Sequence, residues 1–234
     1  MNKTAKITRT GNRRAGSKKR IMLVEDHPIM RVGLRTIINE EPDLTVCGMA
    51  EDACKAITVF AGASPDLVIA DITLPGKNGL ELVKDLLAIN PDLLVLAFSM
   101  HDEQLYAERM LRAGARGYVT KRQPPEELLK AIRTVLAGEY YVSQEMAKTL
   151  LHQLSGRTYR SRPTLEILTD REFEIFQLFG DGKSVKEIAR QIHVSEKTVS
   201  VHSLNIRQKL KLKNTSQLIR LAVQSQTAAV AASD

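Results

Sequence analysis

Apolar residues along this chain fall into two regimes, and the change between them is the first sign of its architecture. From residue 20 to residue 138, short unbroken apolar runs alternate with segments of helical period. Ile21-Met22-Leu23-Val24 is such a run and ends on Glu25-Asp26. Ile29, Val32, Leu34, Ile37 and Ile38 then repeat at helical spacing until Pro42. A weaker strand, Thr45–Met49, precedes a helix over Ala53–Phe60 that is expected to close at Gly62. Leu67–Ala70 is the third run, followed by a helix over Leu80–Ile89. Leu93–Phe98 is the fourth, followed by a helix over Glu103–Leu111 that Gly114 stops. Gly117–Thr120 is the fifth, and Pro125 opens a last helix through Leu136, with Glu126 and Glu127 at its positive end. Runs of four to six apolar residues between turn signals are the mark of strands buried on both faces.

Beyond residue 138 only the helical period remains. Residues 139–162 read as a helical piece fading into a linker. After Leu168 the pattern predicts helices over 169–179, 184–192, 196–210 and 214–224, with the tail TAAVAASD expected to fray. Ser184 is placed as the N-cap of one helix and Ser195, which ends the short turn His193-Val194-Ser195, as the N-cap of the next, so the middle pair forms a helix–turn–helix. On the second helix of that pair Val199, Ile206 and Leu210 are expected to be buried, and Lys197, Ser200, Ser203, Arg207 and Lys211 exposed. Such a face suits a DNA major groove. The fold class is therefore α/β plus all-α: a flavodoxin-like (βα)5 domain on a parallel sheet, then a four-helix domain.

Charge changes this picture by dividing it. Residues 1–20 carry eight Lys or Arg and no acid, residues 21–160 fifteen basic and nineteen acidic groups, and residues 161–234 eleven and eight. The net +7 is thus a basic tail joined to a mildly acidic domain and a mildly basic one, which implies different partners for the two domains. The tail, nearly devoid of apolar residues, is expected to be disordered. It reads as a solubilising arm or a misplaced start, with loose attraction to phosphate backbones as the alternative. No run approaches the roughly 18 apolar residues of a membrane span, and no secretory h-region is present. Cys47 and Cys54 have neither disulfide-framework nor metal-site spacing and read as buried residues of a reduced, cytoplasmic protein.

The chemistry lies where the strands end. In a parallel sheet the ligand sits beyond the carboxyl ends of the strands, where strand order reverses. Those ends carry Glu25-Asp26, Asp71, Ser99 and Lys121. Three carboxylates on adjacent loops repel one another, and a hard divalent cation with oxygen ligands relieves the repulsion, so Mg2+ fits. Asp71 is then a candidate nucleophile toward phosphorus, with Lys121 neutralising charge on the transferred group and Ser99 reading the phosphoryl oxygen.

VEDHPIMR (24–31), DLVIADITLPGKNGLEL (66–82), VLAFSMHDE (95–103) and GYVTKRQPPEELLKAI (117–132) together resemble the receiver domain of two-component response regulators. The resemblance implies that Asp71 accepts phosphate from a sensor histidine kinase and that Glu25 and Asp26 help hold Mg2+. It implies also that Thr73 offers its main-chain carbonyl to the metal, and that Ser99, Lys121 and Tyr118 form the switch. Glu25 stands where many relatives have Asp.

LTDRE, GKSVKEIA, SEKTVSVH and the N-I-x-x-K-L of Asn205 to Leu210 resemble the LuxR-type helix–turn–helix. That likeness implies recognition positions at Lys197, Thr198, Ser200, Val201 and Leu204, with Asn205 and Lys209 beside them. Ser200 stands where many relatives carry Lys or Arg. His202 is expected to pack or to touch phosphate.

Together the two resemblances place the chain in the NarL/FixJ type of response regulator. They imply a basic tail (1–19), a receiver (20–138), a linker (139–163), a DNA-binding domain (164–226) and a short tail (227–234). The expected function is phosphorylation-controlled binding of double-stranded promoter DNA, as a homodimer when phosphorylated, by a regulator rather than an enzyme. Two rivals share the features. A regulator that ignores phosphorylation would use the receiver only to dimerise. An aspartate-nucleophile phosphatase of the haloacid-dehalogenase kind would need a general acid where Thr73 stands, and a cap insertion.

Overall fold

The computed structural model describes residues 17–154, 165 and 167–230. Its first domain is a five-stranded parallel sheet of order β2-β1-β3-β4-β5, built from β1 (Lys19–Val24), β2 (Leu44–Ala50), β3 (Leu67–Ala70), β4 (Leu94–Ser99) and β5 (Gly117–Thr120). Every residue of β3 is buried, which is why its sequence is apolar without alternation. Helices α1 (Pro28–Glu40) and α5 (Pro125–Leu136) pack on one face, with Leu34, Ile38, Leu128, Ile132 and Val135 in one apolar cluster. Helices α2 (Ala53–Ala63), α3 (Gly79–Ile89) and α4 (Glu103–Arg112) cover the other, with Phe60, Val83, Leu86 and Met110. β1 lies between β2 and β3, so the chain reverses direction across the sheet at the β1–β3 crevice.

The second part is helical: α6 (Gln144–Leu154), α7 (Asp170–Gly180), α8 (Val185–Gln191), α9 (Glu196–Lys209) and α10 (Thr215–Val230). Ser184 Oγ accepts the Glu187 N–H and Ser195 Oγ the Thr198 N–H, so both expected caps are in place. Among the described residues no helix is long and apolar enough to cross a membrane.

Local differences from the sequence pattern have physical causes. β1 starts at Lys19, inside the expected tail, because the Lys19 N–H donates to Asp43 O and the Arg20 N–H to the Asp66 carboxylate. The expected disorder of residues 1–16 lies outside the described residues, as does that of 231–234. α2 ends not at Gly62 but at Ser64, which takes the left-handed conformation (φ 41°). α10 continues past the expected fraying point to Val230, as its alanine-rich end favours. Cys54 is exposed and Cys47 half-buried, since α2 turns the first outward. Ser203, expected on the exposed face of α9, is buried, because it shares the 199–203–206–210 stripe with Val199, Ile206 and Leu210.

Candidate functional site

The loops after β1, β3 and β5 each begin where the ladder makes one further bond. Glu25 N–H donates to Ala50 O (3.0 Å), Asp71 N–H to Val24 O (2.9 Å) and Lys121 N–H to Ser99 O (2.8 Å). These bonds set Glu25, Asp71 and Lys121 just past their strands, side chains pointing into a common recess. Lys121 Nζ stands 2.6 Å from Glu25 Oε2 and 2.7 Å from Asp71 Oδ2, and all three side chains are almost fully buried. Burial pushes the Asp71 carboxyl up to about 6 although Lys121 pulls against it. Burial also works against the charge on Lys121, but the Asp71 and Glu25 carboxylates outweigh it and hold the ammonium above the ordinary lysine value.

Two carboxylates thus share one cation, which leaves negative charge over. Asp26 lies beside them, half-buried, and Glu25, Asp26 and His27 bring ligand atoms within 4.8 Å of one another. His27 Nδ1 is 2.7 Å from Asp26 Oδ1. Arg31 Nη1 donates to the Glu25 (2.5 Å) and Asp26 (3.3 Å) carbonyls and fixes that loop. Oxygen donors with surplus charge fit a hard cation.

Asp71 is also held from beneath. A Cβ on Gly79 would come within 2.1 Å of Asp71 O, so only glycine lets the first turn of α3 close under the Asp71 loop, where Gly79 N–H donates to Ile72 O. Above it, Thr73 N–H donates to Asp71 Oδ1 (3.2 Å).

Ser99 is fully buried, and its Oγ accepts the His101 N–H (3.2 Å). The Tyr118 hydroxyl donates to His101 O (3.0 Å), and burial pushes that phenol well above its usual value. His101 Nε2 lies 2.8 Å from Thr73 Oγ1. Burial drives its imidazole down to about 4, so it is neutral. The sequence patterns had not singled out His101, His27 or Gly79.

In the helical domain Lys197, Ser200, Val201 and Leu204 are exposed on α9, and Thr198 and Asn205 half-buried. Ser200 Oγ donates back to Glu196 O (2.9 Å). Lys209 turns away from that face: its Nζ is 2.5 Å from Glu172 Oε2 on α7. His202 is half-buried, and burial lowers its pKa. The two domains meet through α3, α4 and α7. Lys84 pairs with Asp170 (2.6 Å), Asn78 Nδ2 reaches the buried Glu174 carboxylate (3.4 Å), and the Tyr106 ring meets that of Phe173. Helix α7 is thereby engaged while the outer face of α9 remains open.

A parallel β2-β1-β3-β4-β5 sheet with acids and a lysine at its carboxyl edge, joined to a capped helix–turn–helix, defines a receiver-type domain that carries a DNA-binding domain. Residues 21–133 match the response regulator receiver domain, and residues 166–222 match the luxR family of bacterial regulatory proteins. The chain is 34% identical to the oxygen regulatory protein NreC of Staphylococcus carnosus, over 87% of this chain and 96% of that one. It is 31% identical to the transcriptional regulatory protein DegU of Brevibacillus brevis, over 87% and 92%. RcsB of Salmonella enterica serovar Typhimurium, solved on the rprA promoter with the phosphomimetic BeF3−, superposes with a TM-score of 0.60 and 25% identity, over 87% of this chain and 98% of that one. The chain belongs to the NarL/FixJ family of two-component response regulators.

Proposed function

We propose that Asp71 is the phosphoacceptor of this regulator and that its modification controls how the chain occupies promoter DNA. One Asp71 oxygen attacks the phosphorus of a phosphohistidine on a sensor histidine kinase. A new P–O bond forms, the P–N bond breaks, and the electron pair leaves with the imidazole. Lys121, already 2.7 Å from Asp71, pairs with the added phosphoryl group. Ser99 donates its hydroxyl to a phosphoryl oxygen, and Tyr118 follows it. Glu25, Asp26, Asp71 and the Thr73 carbonyl hold Mg2+, which supplies charge neutralisation when bound.

The observation that carries this reading is the shared ammonium. A lysine buried between Glu25 and Asp71 serves no apolar core, and it stands where incoming phosphoryl oxygens need a counter-charge.

The receiver starts at Lys19 in β1, one residue before the expected 20, and runs to 138; 139–163 is the linker, and the DNA-binding module starts at 164 and extends past the expected 226 to Val230 at the end of α10. Lys197, Thr198, Ser200, Val201, Leu204 and Asn205 make up the DNA-binding set, from which the expected Lys209 drops out because Glu172 on α7 holds its ammonium, and α9 enters the major groove of double-stranded promoter DNA. Phosphorylation favours a homodimer, so that two weak modules act on paired half-sites. The reading places the protein in the cytoplasm with no membrane partner.

Acetyl phosphate with Mg2+ is expected to add one acid-labile phosphate to the wild type and none to Asp71→Ala. Equal uptake by the variant would overturn the assignment.

A further inference from the structure

His101 stands between the two halves of this molecule in a way that neither the phosphoacceptor chemistry nor the DNA contacts use. Its N–H is bound by Ser99 Oγ (3.2 Å), its carbonyl by the Tyr118 hydroxyl (3.0 Å) and its Nε2 by Thr73 Oγ1 (2.8 Å). All three partners belong to the Asp71 pocket. Its ring stacks on Tyr106, with centroids 4.4 Å apart and planes 26° from parallel. Tyr106 in turn meets Phe173 of α7 edge-on, at 5.1 Å and 70°.

We infer that His101 is the relay by which the state of Asp71 sets the receiver's hold on the DNA-binding domain. The inference rests on the phosphoacceptor reading above. In the unmodified chain the three hydrogen bonds fix the imidazole as a backing plate for Tyr106. Tyr106 is fully buried, and its hydroxyl has no hydrogen-bond partner among the described residues. An unpaired buried hydroxyl is unfavourable, so this ring is kept in place by packing alone, between His101 on one side and Phe173 on the other. Its position therefore depends on His101.

A phosphoryl group on Asp71 competes for two of the three ties. Ser99 Oγ turns toward a phosphoryl oxygen and gives up the His101 N–H, and Tyr118 moves with it and gives up the carbonyl. The backing plate is freed, the Tyr106 ring loses its fixed position, and the contact with Phe173 weakens. Both sites thus bias one element with two arrangements, which is the physical requirement for coupling. The relay works through hydrogen bonding and ring packing.

Hydrogen exchange of the full chain, followed in segments 103–112 and 170–180, tests this with beryllofluoride plus Mg2+ as the phosphoryl analogue. In the wild type the analogue is expected to speed exchange in both segments by about threefold or more. In His101→Ala, exchange is expected to be fast before the analogue is added and to change by less than about twofold afterwards. The fluorine resonance of bound beryllofluoride should persist in the variant. His101→Gln keeps a polar group within reach of Thr73 but has no ring, and is expected to behave as His101→Ala while melting near the wild type. Wild-type protection with a full response in either variant overturns the relay and leaves the phosphoacceptor reading standing. A wild type that binds no analogue overturns the phosphoacceptor reading, and the relay with it.

Discussion

The guanidinium of Arg109, on α4 of the receiver, lies over the ring of Phe173 on α7, 4.1 Å from its centroid. The same group donates to Leu165 O (2.6 Å) and Leu168 O (3.1 Å) and faces Asp170 (3.3 Å). One receiver side chain therefore gathers the entry to α7, with its charge largely shielded from water. Charge-assisted bonds of this kind contribute about 1.5–3 kcal/mol, and a shielded cation–π contact up to about 2 kcal/mol more. Arg109→Met keeps the apolar stem and removes the rest. The expected outcome is a larger radius of gyration in solution scattering without any phosphoryl analogue. An unchanged radius would mean that other contacts hold the domains together.

That contact was not legible in the sequence, and the reason is physical. Apolar runs report burial, so all five strands and the polar groups at their ends could be placed from the chain alone. Asp71 and Lys121 each have a neighbour in sequence that marks a strand end. Arg109 has no such marker: on a helix of period 3.6 it reads as a solvated charge, and its partners lie 56 to 61 residues away. Asn78 and Glu174, 96 residues apart, are further still. Gly79 looks like part of a turn, and only the built loop reveals the 2.1 Å approach to Asp71 O that excludes a side chain. Ser203 was misplaced because serine is small and polar enough for either face, and three apolar neighbours on its stripe decided the matter.

Lys121→Met tests the shared ammonium. It leaves Glu25 and Asp71 buried without their cation, and breaking such a pair typically destabilises by about 3–5 kcal/mol. Asp71 already titrates near 6 in the fold, above its ordinary 3.8, so the folded receiver holds that proton where the unfolded chain has lost it. Stability from this group is therefore greatest at acid pH and declines as pH rises through about 6. Removing the lysine should exaggerate the decline. Thermal unfolding without Mg2+ is expected to show a larger loss for the variant at pH 8 than at pH 5. Added Mg2+ should recover more of it than in the wild type, because the competing positive charge is gone.

The imidazole of His101 imposes the opposite slope. Burial lowers its pKa from 6.5 to about 4, so between those values the unfolded chain binds a proton that the folded one does not. Stability from this group is full above pH 6.5 and is lost as pH falls toward 4. Discounted for partial exposure, the effect is about 1–2 kcal/mol. Because Asp71 and the buried Glu174 titrate the other way, the reading is the difference between wild type and His101→Gln in chemical denaturation from pH 7 to pH 4.5. The variant is expected to lose less stability over that range. Parallel curves would mean that the folded imidazole takes up its proton at the same pH as the unfolded one.

Lys209 separates two kinds of lysine on α9. Its Nζ lies 2.5 Å from Glu172 Oε2, and Glu172 is buried while also closing the capping box at Thr169. Lys209 and Thr169 outweigh the burial of that carboxyl and hold it below its ordinary value. Lys197, by contrast, is exposed at the start of the helix. Lys209→Met should therefore act through the fold, lowering the stability of the C-terminal domain by about 1–3 kcal/mol as Glu172 loses its cation. Lys197→Met should act through DNA, reducing the slope of log affinity against log salt by about 1 with little change in melting. If Lys209→Met lowers the slope as much as Lys197→Met does, the ammonium leaves Glu172 for a phosphate when DNA arrives, and the α7–α9 pair is exchanged on binding rather than kept.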